Sequence, residues 1–138
     1  MRDQVKLLCG KIRDICLNTS KKLAFKAPAE LSVYMIKNLV IINVDGIFNT
    51  AEIIAAKNSM NREKIILASH AVAEIWVNSV ARELEHLLGI KPRTYFLDYR
   101  PECNTAMFVL YYDRSLVDEA DEIRPPSLKR LRWREAPS

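Results

Sequence analysis

The sequence predicts an α+β domain: a four-stranded, mainly antiparallel sheet with long helices packed on one face. Three observations predict it. Residues 2 to 23 carry an apolar stripe at helical spacing. Two pairs of short β-rich runs, near 31–45 and 93–112, are each joined by a short connection. Between them a long apolar segment, about 62 to 88, ends at Gly89. The resulting order is helix, hairpin, helix, hairpin. A chain of 138 residues with a hydrophobic fraction of 49% suits one domain with a real core. Its folded part is expected to span residues 1–113. Residues 114–138, an acidic segment followed by a basic, proline-containing tail, are expected to be disordered.

The first helix is read from Val5, Leu8, Ile12, Ile15, Thr19 and Leu23, which recur at three- and four-residue steps. Cys9 and Cys16 widen that stripe, while Lys6, Arg13, Asp14 and Asn18 lie off it. Pro28 closes the segment, because it disfavours helical backbone at the residue before it. Leu31–Ile36 and Leu39–Asp45 are rich in β-branched and aromatic residues and flank Lys37-Asn38. Asn38 tolerates the positive φ that a two-residue turn requires. Leu39–Ile42 is continuously apolar, as expected for a central strand.

Asn49 fits a helix N-cap, with Glu52 placed to complete a capping box. That short helix should end near Lys57-Asn58. Asn61, with Glu63 in the first turn, is then expected to cap the long helix. The long helix carries two apolar stripes. One is Ile65, Ala68, Val72, Ile75 and Trp76; the other is Ala73, Val77, Val80, Leu84 and Leu87. Its polar strip is narrow: His70, Glu74, Asn78 and Arg82. Two stripes call for two partners, so a homodimer is expected. The second hairpin runs from Arg93–Tyr99 to Thr105–Tyr112, and Leu116–Ile123 could add one or two acidic helical turns.

Little in the sequence is chemical. It shows no nucleophile–base pair, phosphate loop or metal-ligand spacing. His70 and His86 are sixteen residues apart, about 24 Å along a helix, too far to share a metal ion. A non-enzymatic protein without cofactor or metal is therefore expected. Cys9 and Cys16 are about 10 Å apart on one helix and cannot form a disulfide. Free thiols, no apolar run near the ~18 residues of a membrane span, and an N-terminus without an apolar signal region all point to the cytoplasm.

Candidate contact residues fall in three groups. Asp45, Asn49, Glu52 and Asp98 lie near strand ends and could form a polar binding corner. Against this, such residues more often cap turns and helices. Lys129, Arg130, Arg132, Trp133 and Arg134 make the tail a candidate for weak contact with an anionic membrane. Four cations at ~1 kcal/mol each give ~4 kcal/mol, only millimolar binding, so a solvated tail is the simpler reading. Tyr95, Tyr99, Tyr111 and Tyr112, with Arg93 and Arg100, could stack single-stranded nucleic acid. Tyrosines are also ordinary strand residues and the RNA-recognition signature is missing, so nucleic acid is an unlikely partner.

The block VYMIKNLVIINVDGIFNTAE, from Val33 to Glu52, and the later LLGIKPRTYFLDYRPECNTAMFVLYYD resemble the MpsC-like family. The resemblance covers roughly residues 2 to 113. It implies a small protein linked to a Na+-translocating, membrane-potential-generating system, with no established catalytic residues. A membrane-protein partner follows from the same resemblance. Three positions depart from the family pattern. Asn49-Thr50 replaces Thr-Pro at the cap, which preserves capping. Phe25-Lys26-Ala27-Pro28 replaces a Gly-Lys-Gly-Pro entry to the sheet, removing the glycine backbone that an anion site would use. Phe96 stands where a polar residue is expected before Asp98. The expected role is that of an accessory protein acting through protein contacts, with a ligand- or nucleic-acid-binding module built on the second hairpin as the alternative.

Overall fold

The computed structural model describes residues 2–125. It is an α+β fold with one four-stranded antiparallel sheet. The elements are α1 (Arg2–Lys22), β1 (Glu30–Ile36), β2 (Leu39–Asp45), α2 (Thr50–Ala55), α3 (Ser59–Leu88), β3 (Thr94–Arg100) and β4 (Thr105–Tyr111). The strand order is β1-β2-β4-β3, and every neighbouring pair is antiparallel. β2, with its continuous apolar run, is central, as its sequence suggests.

α1 ends in a Schellman motif. Phe25 donates its backbone N–H to the Ser20 carbonyl and Ala24 donates to that of Lys21, with Ala24 left-handed at φ 56°. The chain therefore turns well before Pro28. The first hairpin turns at Lys37-Asn38, but the positive φ falls on Lys37 (49°) rather than Asn38. Asn38 is used otherwise: its side-chain amide donates to the Tyr112 carbonyl at 2.9 Å. Gly46 follows β2 with φ 77°. A Cβ there would overlap the Ala29 side chain, so conformation and space both require glycine.

Asn49 caps α2 as expected, and the capping box with Glu52 is complete. The long helix differs at its start. Asn58, not Asn61, is its N-cap, accepting from the backbone N–H groups of Met60 and Asn61. The helix ends at Leu88, with Gly89 left-handed at φ 76°.

Burial alternates along β1, β3 and β4, whereas the central β2 is buried at three consecutive residues, Val40, Ile41 and Ile42. Val33, Met35, Val40, Ile42, Val44, Phe108 and Leu110 join the core. Ile12 and Cys16 of α1, and Val77, Val80 and Leu84 of α3, belong to the same cluster. Both buried thiols are held well above the usual range by desolvation, Cys9 at about 11 and Cys16 at about 12.

The folded chain continues past the boundary at 113 read from the sequence. Val117 is buried, and Ile123 pairs with Met35 at the β1 edge. The Glu122 carboxylate is buried: one oxygen accepts the Lys37 N–H at 3.0 Å, and the other accepts from Arg124 at 2.7 Å. The regular structure here is one short 3-10 turn, Glu119–Asp121.

Candidate functional site

Three surfaces could carry function: the corner after β2, the cavity beside it, and the uncovered apolar faces.

The corner is built by Asn104. This residue, left-handed at φ 55°, accepts the Gly46 N–H through its carbonyl and the Phe48 N–H through its side chain, both at 3.0 Å. Asn49 and Glu52 are committed to each other: Glu52 N–H to Asn49 Oδ1 at 2.8 Å, and Asn49 N–H to Glu52 Oε1 at 2.9 Å. Asp45 lies at the end of β2, opposite Glu30 and Thr105, and its carbonyl accepts the Ala29 N–H. Asp98 is elsewhere. It is exposed on β3, the far edge strand, and pairs with Arg100 at 3.4 Å. So Asp45, Asn49 and Glu52 share a corner that Asp98 does not join. No cluster of three or more metal-ligating side chains occurs among the described residues.

Beside the corner is a cavity of about 300 Å³. Its walls come from the end of α1 and the loop after it, all four strands, the Ile47-Phe48 loop with Glu52 of α2, and the middle of α3 from Ala68 to Trp76. The lining is mostly apolar. Trp76 lines it, donating its indole N–H to Ser20 Oγ at 3.0 Å and packing on Phe108 with ring centres 5.2 Å apart. Tyr99 also lines it, and its hydroxyl is buried with no hydrogen-bond partner in the protein. Burial, then the nearby charge of Glu74 and the neighbouring Tyr95, push Tyr99 up to about 12. Nothing in the sequence marked this cavity. The only local signal was Trp76, a large aromatic on an otherwise aliphatic stripe.

The four tyrosines of the second hairpin do not form one platform. Tyr99 and Tyr112 are buried, whereas Tyr111 lies in a row with Ile36, Leu39 and Thr94.

α3 leaves apolar surface uncovered. Ala73, Val77, Val80 and Leu84 are buried, but Met60 (68% exposed), Leu67 (73%), Val72 (47%) and Ile75 (54%) are not. A second apolar row crosses the sheet from Tyr34 through Ile41 and Val109 to Phe96; Ile41 is buried, and the exposed end is Phe96, at 59%.

This assembly of hairpin, capped corner and long helix falls within a stretch of known type. Residues 8–114 match the family described as Na+-translocating membrane potential-generating system (MpsC). The chain belongs to the MpsC family. It is also 22% identical over 115 residues to YrhF of Bacillus subtilis (strain 168), described as an uncharacterized protein; the match covers 83% of this chain and 94% of YrhF. No solved structure matches. The MpsC match includes the corner, the cavity and α3. It stops before the acidic turn and the tail, and Lys129, Arg130, Arg132, Trp133 and Arg134 lie outside the described residues. No helix among the described residues is long and apolar enough to cross a membrane.

Proposed function

We propose that this MpsC chain is a non-enzymatic accessory protein of a membrane-potential-generating system, and that it works through protein contacts as a homodimer. In this reading its long helices cover one face of the sheet, and its uncovered apolar faces meet partners. The carrying observation is the exposed stripe Met60, Leu67, Val72 and Ile75, larger than scattered single exposures would give.

The stripe is self-complementary. Leu67, Ala71 and Ile75 are evenly spaced, so a two-fold axis at Ala71 sets Leu67 of one copy against Ile75 of the other. Small residues at Ala68 and Ala71 let the helices approach. Antiparallel pairing also brings Lys64 near Glu74 of the second copy, and Arg82 near its Glu63. Parallel pairing would oppose like charges. The outer sheet row ending at Phe96 is left for a membrane-protein partner. The basic tail adds weak, salt-sensitive contact with an anionic bilayer, which places the protein in the cytoplasm at the membrane periphery.

Light scattering on the full chain tests the dimer. The expected mass is twice 15.9 kDa at micromolar concentration. Leu67→Glu should return the monomer with its fold intact. A wild-type mass of one chain would overturn the homodimer.

A further inference from the structure

We propose that residues 126–135 of this chain fold back over the uncovered face of its own sheet, with Leu131 on Ile41 and Val109 and Trp133 on Phe96.

The face is apolar and belongs to no core. Beside the row that ends at Phe96 runs another, Ile36, Leu39 and Tyr111, which ends at Thr94. Met107 lies next to the first row and is 39% exposed. None of these side chains joins the buried cluster or packs against it, not even Ile41 at 6% exposure. Contiguous apolar surface of this kind marks a contact site.

The described chain ends at the edge of this face. Ile123 pairs antiparallel with Met35, each donating to the other's carbonyl, at 2.9 and 3.0 Å. That direction carries Arg124 and Pro125 along β1 toward Glu30. Pro125 and Pro126 then stop the pairing, because neither has an N–H to give the β1 edge. Ahead, the edge is taken: Arg13 of α1 donates to the Leu31 carbonyl at 3.0 Å. α1 also closes the side toward the core, where Ile12 and Cys16 are buried. The open side is the outer face.

Length, pattern and charge name the occupant. Crossing from β1 to β3 takes three strand spacings, about 14 Å at ~4.8 Å each. Residues 126–133 reach roughly 26 Å when extended. In an extended chain Leu131 and Trp133 share one side, and Arg130, Arg132 and Arg134 the other. Acids border the apolar rows: Glu30, Asp45 and Asp98 against Arg100, or −2. Residues 126–135 carry +3, four cations against Glu135. A partner of this face, as proposed above, then has to displace the tail. The contact itself does not depend on the homodimer, which uses the exposed stripe of α3.

Solution NMR on the full chain tests this. The Trp133 ring should give Overhauser contacts to the methyl groups of Ile41 and Val109. Trp133→Ser should shift the amides of Ile41, Phe96 and Val109 and leave those of Leu67 and Ile75 in place. Phe96→Ser, at an exposed position, should move the Trp133 indole N–H to its random-coil position while the Val77, Val80 and Leu84 amides stay unchanged. Should that variant unfold, the Trp133→Ser shifts still decide, because that change touches only the tail. A Trp133 ring without contact to the sheet, or in contact with Leu67 and Ile75 instead, would overturn the proposal. So would contacts seen only between differently labelled copies, which would make the occupant a second molecule. Leu67→Glu should leave the Trp133–Val109 contacts intact, so failure of the homodimer and failure of tail docking are read separately.

Discussion

The two halves of α3 have similar apolar content and opposite fates. From Ala73 to Leu84 the helix contributes six buried residues, with Val77, Val80 and Leu84 fully inaccessible. From Ser59 to Val72 it contributes none, although Met60, Ile65, Ile66, Leu67 and Val72 lie there. Geometry explains the difference. Thirty helical residues run about 45 Å, whereas a seven-residue strand spans about 23 Å. The sheet cannot cover the whole helix. The N-terminal half is held by two partly buried residues that pack against the core, Ile65 and Ile66, and by polar devices: the Asn58 cap, the Arg62 bond to the Ala56 carbonyl at 2.9 Å, and the Arg62–Glu102 ion pair at 3.0 Å. Apolar content in a sequence thus reports a demand for cover, and here only half of that demand is met within one chain.

The largest expected contrast comes from truncating one leucine in each half. Leu84→Ala should cost about 3–4 kcal/mol, because it opens a hole in a fully buried site. Leu67→Ala should change the stability of the separated monomer by less than about 0.5 kcal/mol. Urea midpoints at low protein concentration check both. Equal losses would mean that the N-terminal half is packed, and the comparison would fail. Trp76 lies at the junction. Trp76→Phe keeps most of the apolar volume but leaves Ser20 without its indole donor, so about 1–2 kcal/mol is expected.

Alkali probes the buried half by another route. Cys9 and Cys16 rise from 9.0 to about 11 and about 12, and Tyr99 and Tyr112 from 10.0 to about 12, all chiefly by desolvation. For an acid whose folded pKa is raised, the unfolded chain loses its proton first. The stabilisation is therefore complete below about pH 9 and is lost as pH climbs toward 11–12. Melting temperature should be level from pH 7 to 9 and then fall steadily. In the same experiment, exposed Cys103 should be alkylated in the native protein, while Cys9 and Cys16 react only on unfolding. Native labelling of Cys16 would show that the core under α1 opens readily.

Much of the fold was legible because it is locally encoded. Both hairpins follow from β-branched runs, the α2 cap from Asn49 and Glu52 three apart, and the helix end from Gly89. What was not legible depends on contacts distant in sequence. The Glu122 carboxylate binds the Lys37 amide across 85 positions, and that contact holds the acidic segment against the first hairpin. Lys37 takes the left-handed position in its turn although Asn38 is the residue better suited to it. Among the candidate site residues, Asn49 and Glu52 could be read as a cap, but the separation of Asp98 from Asp45 follows from strand order, which no local pattern carries. The cavity is hidden for the same reason: Ser20, Phe48, Trp76 and Tyr99 meet only after four segments pack.

The smallest expected effect falls at the start of α3 and separates its halves by dynamics. Asn61 is the cap expected from the sequence, but the structure uses Asn58, whose side chain accepts two first-turn amides at 3.0 and 3.2 Å. Asn58→Ala should cost about 1 kcal/mol, and Asn61→Ala only a few tenths. The loss should also be local. A helix end without fully buried apolar residues can fray without unfolding the domain. In Asn58→Ala, amide exchange should therefore speed up from Met60 to about Ser69, while amides from Val77 to Leu84 keep wild-type protection relative to global stability. Uniform acceleration along the whole helix would show that α3 unfolds as one unit, and that the two halves differ in exposure but not in how they are held.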